Sequence, residues 1–153
     1  MNLDGKIILE AEPAKVWKLL LDMDQVAACI PGLQGVSQVD DRTFDGIIEA
    51  TVGPLSGKFS FRAHILESDS PRELVAQVEG TDSITKSRVT AETTVTLSQC
   101  NAVETELSYR SSVNVKGRLA ILGEMVMRAS AVAMMEEIAQ RLRSQVTKSS
   151  TLV

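Results

Sequence analysis

The chain has 153 residues, of which 44% are hydrophobic and 24% are charged, proportions typical of a globular domain and not of a disordered or low-complexity chain. The formal net charge of -4 and the scattering of lysine and arginine along the chain argue against binding to nucleic acid. No apolar run approaches the roughly 20 residues that a membrane-spanning helix needs, and the N-terminal residues lack the pattern of a signal peptide. We therefore expect a cytoplasmic protein, and leave open a peripheral contact with the membrane.

The first part of the chain predicts one strand followed by two short helices. Hydrophobic residues alternate with polar ones from Leu3 to Leu9, which is typical of a half-buried strand. Pro13 suits the first turn of a helix, where its missing N–H costs nothing. A second short helix is expected over Asp24 to Ile30, because Pro31–Gly32 then stops it.

From Leu33 to about Lys116 the hydrophobic period is two, which predicts successive strands. Short turns separate them, for example at Gly53–Pro54 and Ser70–Pro71. One face of each strand is apolar and the other polar, a pattern typical of an antiparallel sheet. Because the turns are short, a meander is the simplest topology.

The region from Leu119 to about Val146 predicts one long helix, since Gly123 is its only breaker. Its second half is amphipathic, whereas its first half is apolar on nearly every side. A helix this apolar must be enclosed by the sheet, by the short helices, by a partner or by a ligand. We expect one domain over residues 1–146 and a short tail over 147–153.

A curved sheet that wraps around such a helix often leaves an apolar cavity between the two. The predicted wall of this cavity comprises Trp17, Leu20, Ile30, Phe44, Ile48, Phe59, Phe61, Val89, Tyr109, Leu122, Met125 and Val126. Tyr109 carries the only phenolic hydroxyl and is a candidate to hydrogen-bond a carbonyl group of a ligand. Arg128, four residues after Glu124, either forms an ion pair at the helix edge or orients a polar ligand head at the cavity rim.

The sequence offers no constellation typical of catalysis or of metal binding. His64 is the only histidine and falls on the polar face of its strand, without an aligned partner. Cys29 and Cys100 lie far apart and are interpreted as small apolar fillers. We therefore expect no catalytic residue, no metal and no cofactor. An enzymatic alternative would have to rely on Tyr109, Glu124 and Arg128.

Four separated segments resemble the carbon monoxide dehydrogenase G-subunit family, which belongs to the START-like, Bet v 1-like (SRPBCC) superfamily. They are the helix start with Pro13, Val16 and Trp17, and the stretches over residues 26–32, 53–59 and 116–123. The resemblance covers essentially residues 1–146. It implies an α+β helix-grip fold, in which a seven-stranded antiparallel sheet grips the C-terminal helix around a hydrophobic cavity.

The resemblance also implies an accessory role beside a molybdenum hydroxylase such as carbon monoxide dehydrogenase. We expect noncatalytic binding of a hydrophobic small molecule, lipid- or quinone-like. One alternative is a superfamily enzyme resembling a polyketide cyclase or a hydrolase. Another is an interaction module without a ligand, in which Met127 and Met134 contact a partner enzyme or a second copy of the chain.

Overall fold

The computed structural model describes residues 1–151, and the side chains of residues 1–147. The elements in chain order are β1 (Asn2–Leu9), α1 (Pro13–Leu20), α2 (Met23–Cys29), β2 (Leu33–Asp40), β3 (Thr43–Val52), β4 (Leu55–Asp69), β5 (Glu73–Asp82), β6 (Ser87–Gln99), β7 (Thr105–Lys116), α3 (Arg118–Ile121) and α4 (Glu124–Thr151). Within the described residues, seven strands form one antiparallel sheet in the order β1-β7-β6-β5-β4-β3-β2. The predicted α+β fold, with a curved sheet and a long C-terminal helix, is confirmed.

The first short helix begins at Pro13 as predicted, and the second covers Met23–Cys29, one residue earlier at each end than predicted. Pro13 occupies the first turn of α1. The carboxylate of Asp22 caps α2, because its Oδ1 accepts hydrogen bonds from the backbone N–H of Asp24 at 3.1 Å and of Gln25 at 3.3 Å. The helix α1 packs against β6, and α2 packs against β2 and α4.

The long C-terminal helix differs from the prediction because it is interrupted at Gly123. This glycine has a φ of +87°, in the left-handed region that residues with a Cβ rarely adopt. The preceding turn closes on itself, since the N–H of Leu122 donates to Leu119 and that of Gly123 to Ala120. The chain therefore forms the short α3 and then restarts as α4.

The end of α4 also differs from the prediction, because the helix continues past Val146 to Thr151. Its 28 residues span about 42 Å at 1.5 Å per residue. Most of the predicted tail is thus helical. Residues 152 and 153 of that tail lie outside the described residues.

The hydrophobic core lies at one end of the molecule, under α1 and the second half of α4. Its buried members are Ile7, Leu9, Ala11, Val16, Trp17, Leu19, Cys29, Leu97, Leu107, Ala139, Leu142 and Val146. The buried hydroxyl of Thr105 donates to the carbonyl oxygen of Ala11 at 2.6 Å. This bond gives the backbone carbonyl a hydrogen-bond partner just after β1 ends. Burial raises the pKa of the Cys29 thiol. Cys100, which was expected to be a filler, is instead exposed at the turn between β6 and β7.

Candidate ligand cavity

A cavity of about 440 Å³ lies between the first half of α4 and the inner face of the sheet. This volume falls in the range of small-molecule sites in proteins. The lining residues are Met1, Ile30, Ile48, Ala50, Thr51, Val52, Phe59, Phe61, Ala63, Val78, Gly80, Val89, Val113, Val115, Leu119, Met127, Ser130, Ala131 and Met134. The cavity occupies the end of the molecule opposite to the core cluster.

The two walls of the cavity follow the periods of their elements. The strands present every second residue, as in β4, where Phe59, Phe61 and Ala63 line the space. The facing wall is one stripe of α4, at the spacing i, i+3, i+4 and i+7 from Met127 to Met134. Large aromatic rings on the sheet therefore face small and flexible side chains on the helix, and the space between them stays unfilled.

The lining is almost entirely apolar. None of the lining side chains, all of which belong to the described residues, is charged. The Thr51 hydroxyl is within hydrogen-bond distance of Ser56 Oγ, at 3.1 Å, on the exposed side of the β3–β4 hairpin. Ser130 carries the remaining hydroxyl, and it has no hydrogen-bond partner among the residues that the structure describes. The cavity thus suits an apolar molecule with few polar atoms.

Two cationic groups lie at the edge of the cavity, and both are engaged with the backbone. The α-amino group of Met1 donates to the carbonyl oxygen of Val113 at 2.9 Å. Arg128 donates from Nη1 to the carbonyl oxygen of Asn2 at 2.8 Å, and its Nη2 lies 3.8 Å from Glu124 Oε1. The arginine therefore ties α4 to β1 and is not among the lining residues.

A model of the carbon monoxide dehydrogenase G-subunit family (CoxG) matches residues 5–147, which is most of the chain. The chain belongs to this family. The sequence motifs had indicated the same membership. No curated protein matches the chain.

Solved structures similar to this CoxG family member come from several bacteria. They include a conserved protein from Geobacillus kaustophilus, with 21% identity, a TM-score of 0.91 and 97% of each chain covered. A START superfamily protein from Mycobacterium smegmatis has 14% identity and a TM-score of 0.73, over 96% of this chain and 97% of that chain. A protein from Chromobacterium violaceum has 16% identity and a TM-score of 0.72, over 95% and 96%. At these identities the likeness shows the fold alone, and that fold is START-like.

Five of the residues predicted for the cavity wall of this CoxG family member line the observed cavity. They are Ile30, Ile48, Phe59, Phe61 and Val89. Four of them lie on strands, where the period of two shows which side chains share a face. The residues of the sheet that line the cavity could therefore be predicted from the sequence.

Four other predicted wall residues lie elsewhere. Trp17 is buried in the core cluster and Leu20 packs against it, because α1 covers that end of the sheet. Phe44 is half-buried in β3, beyond the lining residues. Tyr109 packs against the core cluster, with its ring so close to Gly5 that a Cβ there would lie 2.5 Å from the hydroxyl oxygen. Its pKa is raised, mainly by burial and also by the charges of Asp4 and Glu136.

The three predicted wall residues near the helix break are also displaced from the cavity. Met125 is 85% exposed. Leu122 and Val126 lie beside Gly53 in the β3–β4 turn, where Val126 Cγ1 would be 2.8 Å from a Cβ on that glycine. The restart of the helix at Gly123 turns Met127, Ser130, Ala131 and Met134 toward the sheet instead. Their regular spacing was visible in the sequence. Because the neighbouring residues are also apolar, the sequence did not show which side of the helix faces the sheet.

The most exposed apolar side chains gather at the cavity end of the molecule. Ile84 in the β5–β6 turn is 79% exposed, and Ile121 at the end of α3 is 83% exposed. Met125 follows in the first turn of α4. Lys86 and Arg118 stand beside them, and neither forms an ion pair with any residue that the structure describes.

The candidate catalytic residues of the enzymatic alternative do not meet inside the cavity. Tyr109, Glu124 and Arg128 are all outside the lining of the cavity. His64 is exposed, and its Nδ1 lies 2.8 Å from Thr43 Oγ1.

Among the described residues, no helix combines the length and the hydropathy needed to cross a membrane.

Proposed function

We propose that this protein binds a hydrophobic small molecule, lipid- or quinone-like, in the cavity between α4 and the sheet. The observation that carries the proposal is a preformed space of about 440 Å³ with an almost wholly apolar lining. Transfer of apolar ligand surface from water into such a space contributes about 2.5 kcal/mol for each ~100 Å². A hydrophobic ligand therefore gains affinity without any specific polar contact.

We propose further that the binding is noncatalytic and serves a partner enzyme. General acid–base chemistry requires a titratable side chain within hydrogen-bond reach of the reacting atom. The side chains that line the cavity supply none, and the α-amino group of Met1 donates to the carbonyl oxygen of Val113. Membership of the CoxG family supports an accessory role beside a molybdenum hydroxylase such as carbon monoxide dehydrogenase.

A block of the cavity tests the proposal. Ala131→Trp places an indole in the space, so we expect the bound molecule to be at least about tenfold depleted. Ala129→Trp is the matched control, because Ala129 is exposed on the outer side of the same helix. The measurement is organic extraction and mass spectrometry of each protein purified from its own host. The proposal would be contradicted if wild-type protein never contains a bound molecule and if its mass in native mass spectrometry does not shift when quinones or fatty acids are added.

A peripheral contact with a membrane is a further part of the proposal, supported by the exposed residues at the cavity end. Ile121 and Met125 would enter the lipid interface while Lys86 and Arg118 face anionic headgroups. We expect Met125→Glu to lower co-sedimentation with phosphatidylglycerol vesicles about fivefold or more. Val103→Glu is the control, because Val103 is also exposed but lies at the opposite end, in the β6–β7 turn. Equal binding by both variants would exclude this surface.

A further inference from the structure

Ser130 stands out among the residues that line the cavity. A hydroxyl within a helix commonly hydrogen-bonds the carbonyl four residues earlier, as Thr147 does in α4 by donating to Arg143 at 3.0 Å. Ser130 forms no such bond and has no other partner among the described residues. Its hydroxyl is therefore available at the cavity wall.

The groups around Ser130 cannot substitute for it as hydrogen-bond donors. Its neighbours on the helix stripe are Ala131 and the thioethers of Met127 and Met134, and sulfur of this kind is only a weak acceptor. The facing wall consists of the rings and aliphatic side chains of the strands. On the helix stripe, a polar atom of a ligand thus gains a strong hydrogen bond only where it meets Ser130.

The charge distribution adds a second constraint. An ionised carboxylate buried without a partner is costly, and no cationic side chain lines the cavity. The two cations at its edge, the amino group of Met1 and the guanidinium of Arg128, each donate one N–H to a backbone carbonyl oxygen and keep further N–H groups. A fatty acid would have to hold its carboxylate at this edge, beside Met1 or Arg128, or remain protonated.

We infer that Ser130 is a positioning residue that fixes the carbonyl or hydroxyl oxygen of a neutral ligand, and that the part of the cavity around Ser130 discriminates against carboxylates. This inference rests on the proposed function, since it selects among the hydrophobic ligands of the same cavity. It favours the quinone-like class over the fatty acids. The oxygen of the ligand accepts a hydrogen bond from Ser130 Oγ while its apolar part lies against Phe59 and Phe61.

Three probes of graded polarity test the inference. Duroquinone carries two carbonyl groups, durene is its hydrocarbon counterpart without them, and decanoate carries a charge. Duroquinone is fully substituted, so the exposed thiol of Cys100 has no ring hydrogen to displace. We expect wild-type protein to bind duroquinone more tightly than durene, and decanoate most weakly, in calorimetric titrations.

The variant Ser130→Ala should lose about three- to tenfold of its affinity for duroquinone, the usual effect of one hydrogen bond. Its affinity for durene should not change. The infrared carbonyl stretch of bound duroquinone should shift to higher frequency, which a purely structural effect would not produce. Ser144→Ala, an exposed position on the same helix, should behave as the wild type.

The outcomes separate this inference from the proposed function. If wild-type protein binds durene and duroquinone equally, or if Ser130→Ala weakens both alike, Ser130 does not position the ligand although the cavity still binds. Decanoate binding as tight as that of duroquinone would overturn the discrimination against carboxylates. Absence of binding by all three probes would overturn the proposed function and this inference together.

Discussion

Replacement of Gly117 by alanine is expected to lower the free energy of unfolding by roughly 3 kcal/mol or more. Gly117 links β7 to α3 with a φ of +91° and a ψ of -155°, a conformation essentially restricted to glycine. A Cβ there would also lie 1.9 Å from the carbonyl oxygen of Lys86. Both effects act on backbone atoms, which cannot move aside as a flexible side chain does. Urea denaturation followed by circular dichroism measures the change.

Gly35→Ala provides the matched control in β2. A Cβ at Gly35 meets nothing within 4 Å, and its backbone φ is not in the left-handed region. We expect its free energy of unfolding to stay within about 1 kcal/mol of the wild type. Similar stabilities for the two variants would show that the β7–α3 link is not fixed as the structure has it. Leu119, two residues after Gly117, would then be free to leave the cavity wall.

Replacement of Met127 by glutamate is expected to abolish binding of neutral hydrophobic ligands, with a loss of about a hundredfold or more in affinity. Met127 lies on the stripe of α4 that faces the sheet. A carboxylate at this position either draws water into the cavity or remains buried without a partner, and both outcomes oppose an apolar ligand. Titration with duroquinone measures the effect.

Met125→Glu is the control for this substitution, because Met125 is exposed two residues earlier on the same helix. Its affinity for duroquinone should equal that of the wild type. The same two variants also test the alternative of an interaction module without a ligand, for which Met127 was a predicted contact residue. If light scattering shows that the wild-type protein is a dimer, we expect the Met127→Glu variant to remain a dimer. A variant that separates into monomers while keeping the ligand would favour the interface instead.

Much of the fold could be predicted from the sequence because it depends on local patterns. Pro13 and the side chain of Asp22 start the two short helices through contacts with their own neighbours in the chain. In the strands, the alternation of apolar and polar residues determines which side chains face the helix. Phe59, Phe61 and Val89 could be assigned to the cavity for this reason.

The residues of α4 that line the cavity could not be predicted, because a single backbone angle determines which side of the helix faces the sheet. Gly123 was visible in the sequence, but a glycine within an apolar helix can be either tolerated or used as a break. Its positive φ separates α3 from α4 and leaves Met125 exposed. Trp17 and Tyr109 posed a different problem. Each is apolar enough for either the core or the cavity, and only the packing of α1 and α4 onto the sheet decides between them.

The two halves of α4 have different neighbours, and this has a consequence for how the protein changes over time. Ala139, Leu142 and Val146 belong to the core cluster, whereas Met127, Ser130, Ala131 and Met134 face the cavity. Under the proposed function, substitutions in the first half would alter ligand choice at little cost in stability, because the buried cluster that stabilises the domain is untouched. Under that function, sequence changes confined to this segment would change the binding preference while the fold stays the same.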